Sequence, residues 1–126
     1  MNERCVQEVT FGPHTASALC ALGDSLGLRC VRVDFAACRD KGDVLARIGA
    51  AFAFPRWFGG NWDALYDCLN DLEWLDARGH LLLLEHAGNL RDAAPEDFVT
   101  LLDVLEESAR AWQKRGVTFR VIIGLD

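Results

Sequence analysis

At 126 residues, with 51% apolar and 25% charged residues, the chain has the size and composition of one globular domain with its own hydrophobic core. The net charge of −6 argues against a phosphate-binding surface, because a nucleic-acid domain carries a basic face; it suits a partner that is itself basic. No apolar run reaches the length of a membrane span, and the start, MNERCVQEV, lacks the basic-then-apolar layout of a secretory leader, so a cytoplasmic protein is expected.

In chain order, residues 6–11 suit a short strand, stopped by Gly12-Pro13. Residues 15–26 follow with Leu19, Leu22 and Leu26 at helical spacing, and Gly27 closes that helix. Two roles stay open for this helix: packing on the domain, or forming an added contact surface. LRCVRVDF, residues 28–35, alternates Val31, Val33 and Phe35 against Arg32 and Asp34 and reads as a strand. Val44, Leu45, Ile48 and Phe52 then mark a helix that starts near residues 40–43 and ends before Pro55. A turn over residues 55–60 leads into a second, shorter helix.

Residues 73–79 connect that helix to HLLLLE, residues 80–85, a strand of the kind buried on both faces. Residues 86–94 read as loop, with Gly88-Asn89 as turn chemistry. Pro95 opens a long helix whose stripe is Phe98, Leu101, Leu102, Leu105, Ala109 and Trp112. Lys114 and Arg115 suit its C-terminus and Gly116 ends it. VTFRVII, residues 117–123, is the last strand. Each strand is separated from the next by helix, which predicts a parallel sheet with right-handed crossovers.

The five cysteines form an odd set without a CxxC pair, so reduced thiols, mostly buried, are expected, and no disulfide is expected to hold the fold. His14, His80 and His86 are scattered, and the last two read as ordinary histidines at strand edges. No GxGxxG, P-loop, GxSxG or HExxH pattern occurs. No cofactor, metal or enzymatic activity is expected.

The chemistry concentrates in the short helix. Asn61 follows a Gly-Gly pair and is an N-cap candidate, and Asp63 falls in the first turn, where a negative charge suits the helix dipole. At about 100° per residue, Trp62, Leu65, Leu69 and Leu72 form an apolar stripe. Asp63, Tyr66, Asp67 and Asn70 share another face, with Asp71 at its edge. Asp63 and Asp67, spaced i, i+4, repel by about 0.2–0.5 kcal/mol in an isolated helix. The face is either a solvated acidic surface or an electronegative one awaiting a cationic partner. Acid–base catalysis by the aspartate pair is disfavoured, because both carboxylates lie on one face of one short helix instead of in two distinct environments.

The run WFGGNWDALYDCL is similar to the central segment of the barstar family, intracellular inhibitors of barnase-type ribonucleases. The pattern there is aromatic-aromatic-Gly-x-Asn-x-Asp-Ala-Leu-aromatic-Asp-Cys-Leu, and Trp57 through Leu69 fit it without a gap. Looser similarity covers residues 28–126. The resemblance implies an α/β fold, a small three-stranded parallel sheet packed with helices, over residues 28–126, with residues 1–27 as an N-terminal extension. It implies a cytoplasmic inhibitor, of the immunity or antitoxin kind, that blocks the cationic active site of a basic extracellular or toxin ribonuclease. It implies a monomer when free, with no nucleic acid or membrane bound. The matching contact residues are Trp57, Asn61, Asp63, Tyr66, Asp67, Asn70, Asp71 and Leu72. The chain departs from the family by carrying Trp57 and Leu72 where the family has tyrosine and tryptophan, Tyr66 for tryptophan, and Asn70 for threonine. On the last helix, Ala111, or Arg110 with a one-residue shift, stands where the family has a glutamate. A barstar-like interaction module for a non-nuclease partner therefore stays open beside the inhibitor.

Overall fold

The four leucines at the centre of HLLLLE leave no polar position there to turn toward water, and the fold covers them on both sides. In the computed structural model, which describes residues 4–12, 14–54, 61–71 and 79–126, this run lies in β3 (Gly79–Glu85). The other elements are β1 (Val6–Val9), α1 (Thr15–Ser25), β2 (Leu28–Asp34), α2 (Lys41–Phe52), α3 (Trp62–Asn70), α4 (Gly88–Ala93), α5 (Pro95–Lys114) and β4 (Thr118–Gly124). The strands form one parallel sheet in the order β1-β4-β3-β2. Leu82 and Leu84 face the larger core with Val31, Val33, Phe119 and Val121, under α2, α3, α4 and α5. Leu81 and Leu83 face the smaller core with Phe11 and Ala16, under α1. A side chain at Gly79 would collide with the Thr118 carbonyl, so the strand enters the sheet on a residue without one.

The sheet thus has four strands among the described residues, where the resemblance implies three. The fourth is β1, from the segment set apart as an extension, and it joins the outer side of β4 with Val6 opposite Val121 and Val9 opposite Gly124. A short strand reading VQEV says nothing about which edge it will meet. The partner is chosen by tertiary contacts. Cys5 and Val6 are buried, and their N–H groups donate to the Glu106 carboxylate of α5 at 3.0–3.3 Å. Arg110 donates to the same carboxylate at 3.1 Å. Burial pushes the Glu106 carboxyl upward, but the hydrogen bonds from Cys5 and Val6 outweigh it and hold the group below the usual carboxylate range.

Residues 88–93, expected to be loop, form the one-and-a-half turns of α4. Leu90 is fully buried there, and its burial overrides the Gly-Asn turn signal. His80 is not an edge residue. It is 1% exposed beside Phe119, at a ring-centroid distance of 5.9 Å. Burial, with the nearby charge of Arg29 adding to it, pushes its pKa down to about 4.

The cysteine expectation holds in part. Cys5, Cys38 and Cys68 are buried free thiols, but Cys20 on α1 and Cys30 on β2 are joined as a disulfide, with Cα atoms 5.4 Å apart. Their separation of ten residues carries no spacing motif, and only the packing of α1 across β2 brings them together.

Two predictions follow from these groups. Closing so short a loop should stabilise the fold by roughly 2–3 kcal/mol. Urea melts of the oxidised protein and of Cys20→Ser/Cys30→Ser should differ by about that amount, and coincident melts would mean that the bond contributes nothing. For His80, the folded protein keeps the imidazole neutral to about pH 4, while the unfolded chain takes up its proton near pH 6.5. Stability should therefore be complete above pH 6.5 and fall as the pH drops toward 4, by about 3 kcal/mol from this group. His80→Leu should flatten that part of the stability–pH curve.

Candidate functional site

The candidate site is built on α3. Asn61 has extended backbone angles, and its Oδ1 accepts the Ala64 N–H at 2.7 Å, as the N-cap reading requires. Leu65 and Leu69 are fully buried in the larger core and Cys68 is buried beside them. Trp62 is half-buried against that core. The opposite side carries Asp63, Asp67 and Asp71, all exposed and spaced by one turn, with Tyr66 and Asn70 half-buried next to them. Trp57 and Leu72, the other two expected contacts, lie outside the described residues, as does the turn over residues 55–60.

None of the ion pairs formed among the described residues involves Asp63, Asp67 or Asp71. Their field is felt within the helix. The Cys68 thiol is pushed up by burial and then by the charges of Asp67 and Asp71. Asn70 is partly committed internally, since its Nδ2 donates to the Tyr66 carbonyl at 2.8 Å. That bond satisfies one of the carbonyls left over at the helix end.

The last helix supports this face from behind. Trp112 donates its indole N–H to the Leu69 carbonyl at 2.8 Å, joining α5 to the final turn of α3. Sequence reading placed Trp112 in an apolar stripe; the signal for more was its N–H, which needs an acceptor when covered. The Arg115 guanidinium lies 4.7 Å from the centre of the Trp112 ring. Arg110, one of the two positions that sequence alignment offered for the family's last-helix glutamate, is turned to Glu106. No group of three His, Cys, Asp or Glu side chains among the described residues could hold a metal ion.

A short acidic helix, capped and pinned to a parallel α/β core, with charges that form no ion pair among the described residues, suits a protein-binding role. The model of the barstar family, described as barnase inhibitor, matches residues 28–124, and the chain belongs to that family. The family is one of inhibitor domains whose partners are ribonucleases. No curated protein sequence matches the chain. Among solved structures it is similar to the ORC2 protein of Aeropyrum pernix, solved in ADPNP-ADP complexes, with a TM-score of 0.59 and 19% identity. That match covers 96% of this chain and 35% of the other, so the chain spans about a third of the protein it resembles. At that identity the likeness is one of fold.

The acidic face makes a testable statement about the free protein. Asp67→Ala removes repulsion with Asp63 and Asp71 and introduces a better helix former. Folding stability should stay unchanged or rise by a few tenths of a kcal/mol. Urea denaturation would measure it, and a loss above about 1 kcal/mol would make Asp67 a structural residue.

Proposed function

We propose that this chain is a cytoplasmic inhibitor that binds a basic, barnase-type ribonuclease and blocks its active site with the acidic face of α3. The observation that carries the reading is the exposed row of Asp63, Asp67 and Asp71, which form no ion pair among the described residues. An enzyme that holds a phosphodiester must present cations where the phosphates sit. Carboxylates from one helix face meet that requirement, with Asp67 as the central anchor and Asp63 one turn before it. Tyr66 and Trp57 supply aromatic contact area at low entropic cost, and Asn61, Asn70, Asp71 and Leu72 complete the contact. In this role the protein protects the cell that makes the nuclease, as an immunity protein or antitoxin, and is a monomer until it meets its target.

The second reading is a barstar-like module for a non-nuclease partner. It is favoured by the last helix, where Ala111, or Arg110 turned to Glu106, stands at the position for which the family resemblance calls for an anion. Titration of barnase-type ribonucleases with the purified protein separates the two. Stoichiometric loss of nuclease activity supports the inhibitor, and absence of binding across such enzymes supports the module.

Within the inhibitor reading, Asp67→Ala should weaken the complex by about 2–5 kcal/mol or more, because it strands desolvated cations on the nuclease. Calorimetric titration would register this, and near-wild-type affinity would remove Asp67 from the contact. The association rate should fall steeply with ionic strength while dissociation changes less, since the Debye length shrinks to about 10 Å at 0.1 M salt. Stopped-flow rates that stay flat across a salt series would count against charge-steered encounter.

A further inference from the structure

On the sheet face away from the acidic site, α1 is a weak helix on a shallow seat. At eleven residues it is marginal by itself, and His14 at its start makes no side-chain cap. Its first turn carries no acidic residue and its last turn no basic one. Gly23 lies within it, a residue that costs a helix more than any but proline. The expected apolar stripe is not buried: Leu22 is 56% and Leu26 58% exposed, and the helix packs through Ala16 and Gly23. α1 covers β2 and β3 but stops short of β1 and β4, leaving a groove of about 320 Å³ lined by Leu22, Leu26, Leu81, Ile122 and Arg120. Its side-chain hydrogen bond to the sheet, from Arg32 to Ser17 Oγ, is 3.4 Å long and exposed. The firm attachment is covalent, the bond from Cys20 to Cys30 of β2. The segments on either side are anchored independently. β1 pairs with β4 and donates to Glu106, the Phe11 N–H donates to the Asp126 carboxylate at 2.9 Å, and β2 pairs with β3 along its length. α1 is thus a span between two fixed strands.

We propose that the Cys20–Cys30 bond is a redox latch: oxidised, it holds α1 on the sheet, and reduced by a dithiol it lets α1 open as a unit while the rest of the domain stays folded. Both cysteines are half-buried and β2 is an edge strand, so a dithiol reaches the bond. One thiolate of the reductant attacks a sulfur to form a mixed disulfide, and its second thiolate displaces it. Two electrons and two protons pass to Cys20 and Cys30, which become thiols, and the reductant closes its own disulfide. Cys5, Cys38 and Cys68 do not compete. All three are buried, and burial pushes each thiol up, away from the thiolate that exchange requires. While the bond is closed, an unwound α1 remains tied at Cys20 and regains little chain entropy; once it is reduced, that restraint is gone. Opening uncovers Leu81 and Leu83 of the smaller core, whereas the larger core that holds α3 lies on the other face. The acidic face therefore keeps its shape in both states. In the reducing compartment proposed above, disulfides are transient and redox-sensing more often than structural.

Native-state hydrogen exchange at low urea tests this on the full chain, comparing the oxidised protein, the same protein reduced with dithiothreitol, and Cys20→Ser/Cys30→Ser. On reduction the helical amides of residues 18–26 should lose protection by roughly thirtyfold or more. They should exchange through an opening that depends weakly on urea, while the amides of β3 and β4 stay better protected and open only in a strongly urea-dependent step. Thermolysin should cut the reduced chain within residues 15–26 and leave that segment intact in the oxidised chain. The double variant should match the reduced protein. Oxidised glutathione should restore protection to the unmodified chain and not to the variant. Equal protection of α1 in both redox states, exchange of α1 and β3 together in one urea-dependent unfolding, or a reduced chain that no longer folds would overturn the proposal. None of these readouts involves the acidic face, so the latch and the inhibitor reading fail separately.

Discussion

The structure depends on β3 being buried on both faces. Leu82, Leu83 and Leu84 are fully buried and Leu81 nearly so, and each such side chain removed from water contributes about 1.5–3 kcal/mol. A strand of this kind cannot sit at an edge or open one face to solvent. It must have a strand on either side and helices above and below, and β2, β4 and the two helical layers supply them. His80 sits in the same strand, and its neutrality follows from the same dry surroundings.

The acidic helix exists because that core holds it. Nine residues make a marginal helix by themselves, and three aspartates in one row make it worse. Asn61 closes its start, Leu65 and Leu69 anchor its inner side, and the Trp112 indole takes up one of its last carbonyls. With stability supplied from the buried side, the outer side is free to carry repelling charges.

The second layer is thinner. Residues before Leu28 add β1 to the sheet edge through the Glu106 carboxylate and lay α1 over Leu81 and Leu83. One eleven-residue helix cannot cover a four-stranded sheet. The uncovered remainder is the groove beside Arg120. The segment outside the family match therefore completes the fold and also creates a surface that the matched residues alone do not possess.

The strands and helices from residue 28 onward were legible because their signals are local. These were the alternation in β2, the unbroken apolar run of β3, the 3.6-residue stripes of α2 and α5, and the Asn61 cap. The acidic face of α3 was legible for the same reason, since residues one turn apart are neighbours whatever the tertiary structure does. The pairing of the first strand with β4, the burial of Leu90 that makes α4 a helix, and the dry position of His80 were not. Each depends on which distant segment comes to lie against it. The Cys20–Cys30 bond and the meeting of Glu106 with Cys5 are of the same kind, joining residues whose spacing means nothing until the sheet is assembled. Sequence alone determined which faces were apolar and which acidic. The tertiary structure decided which apolar faces were covered, because covering one requires a partner of the right length in the right place, and α1 ends short of β4.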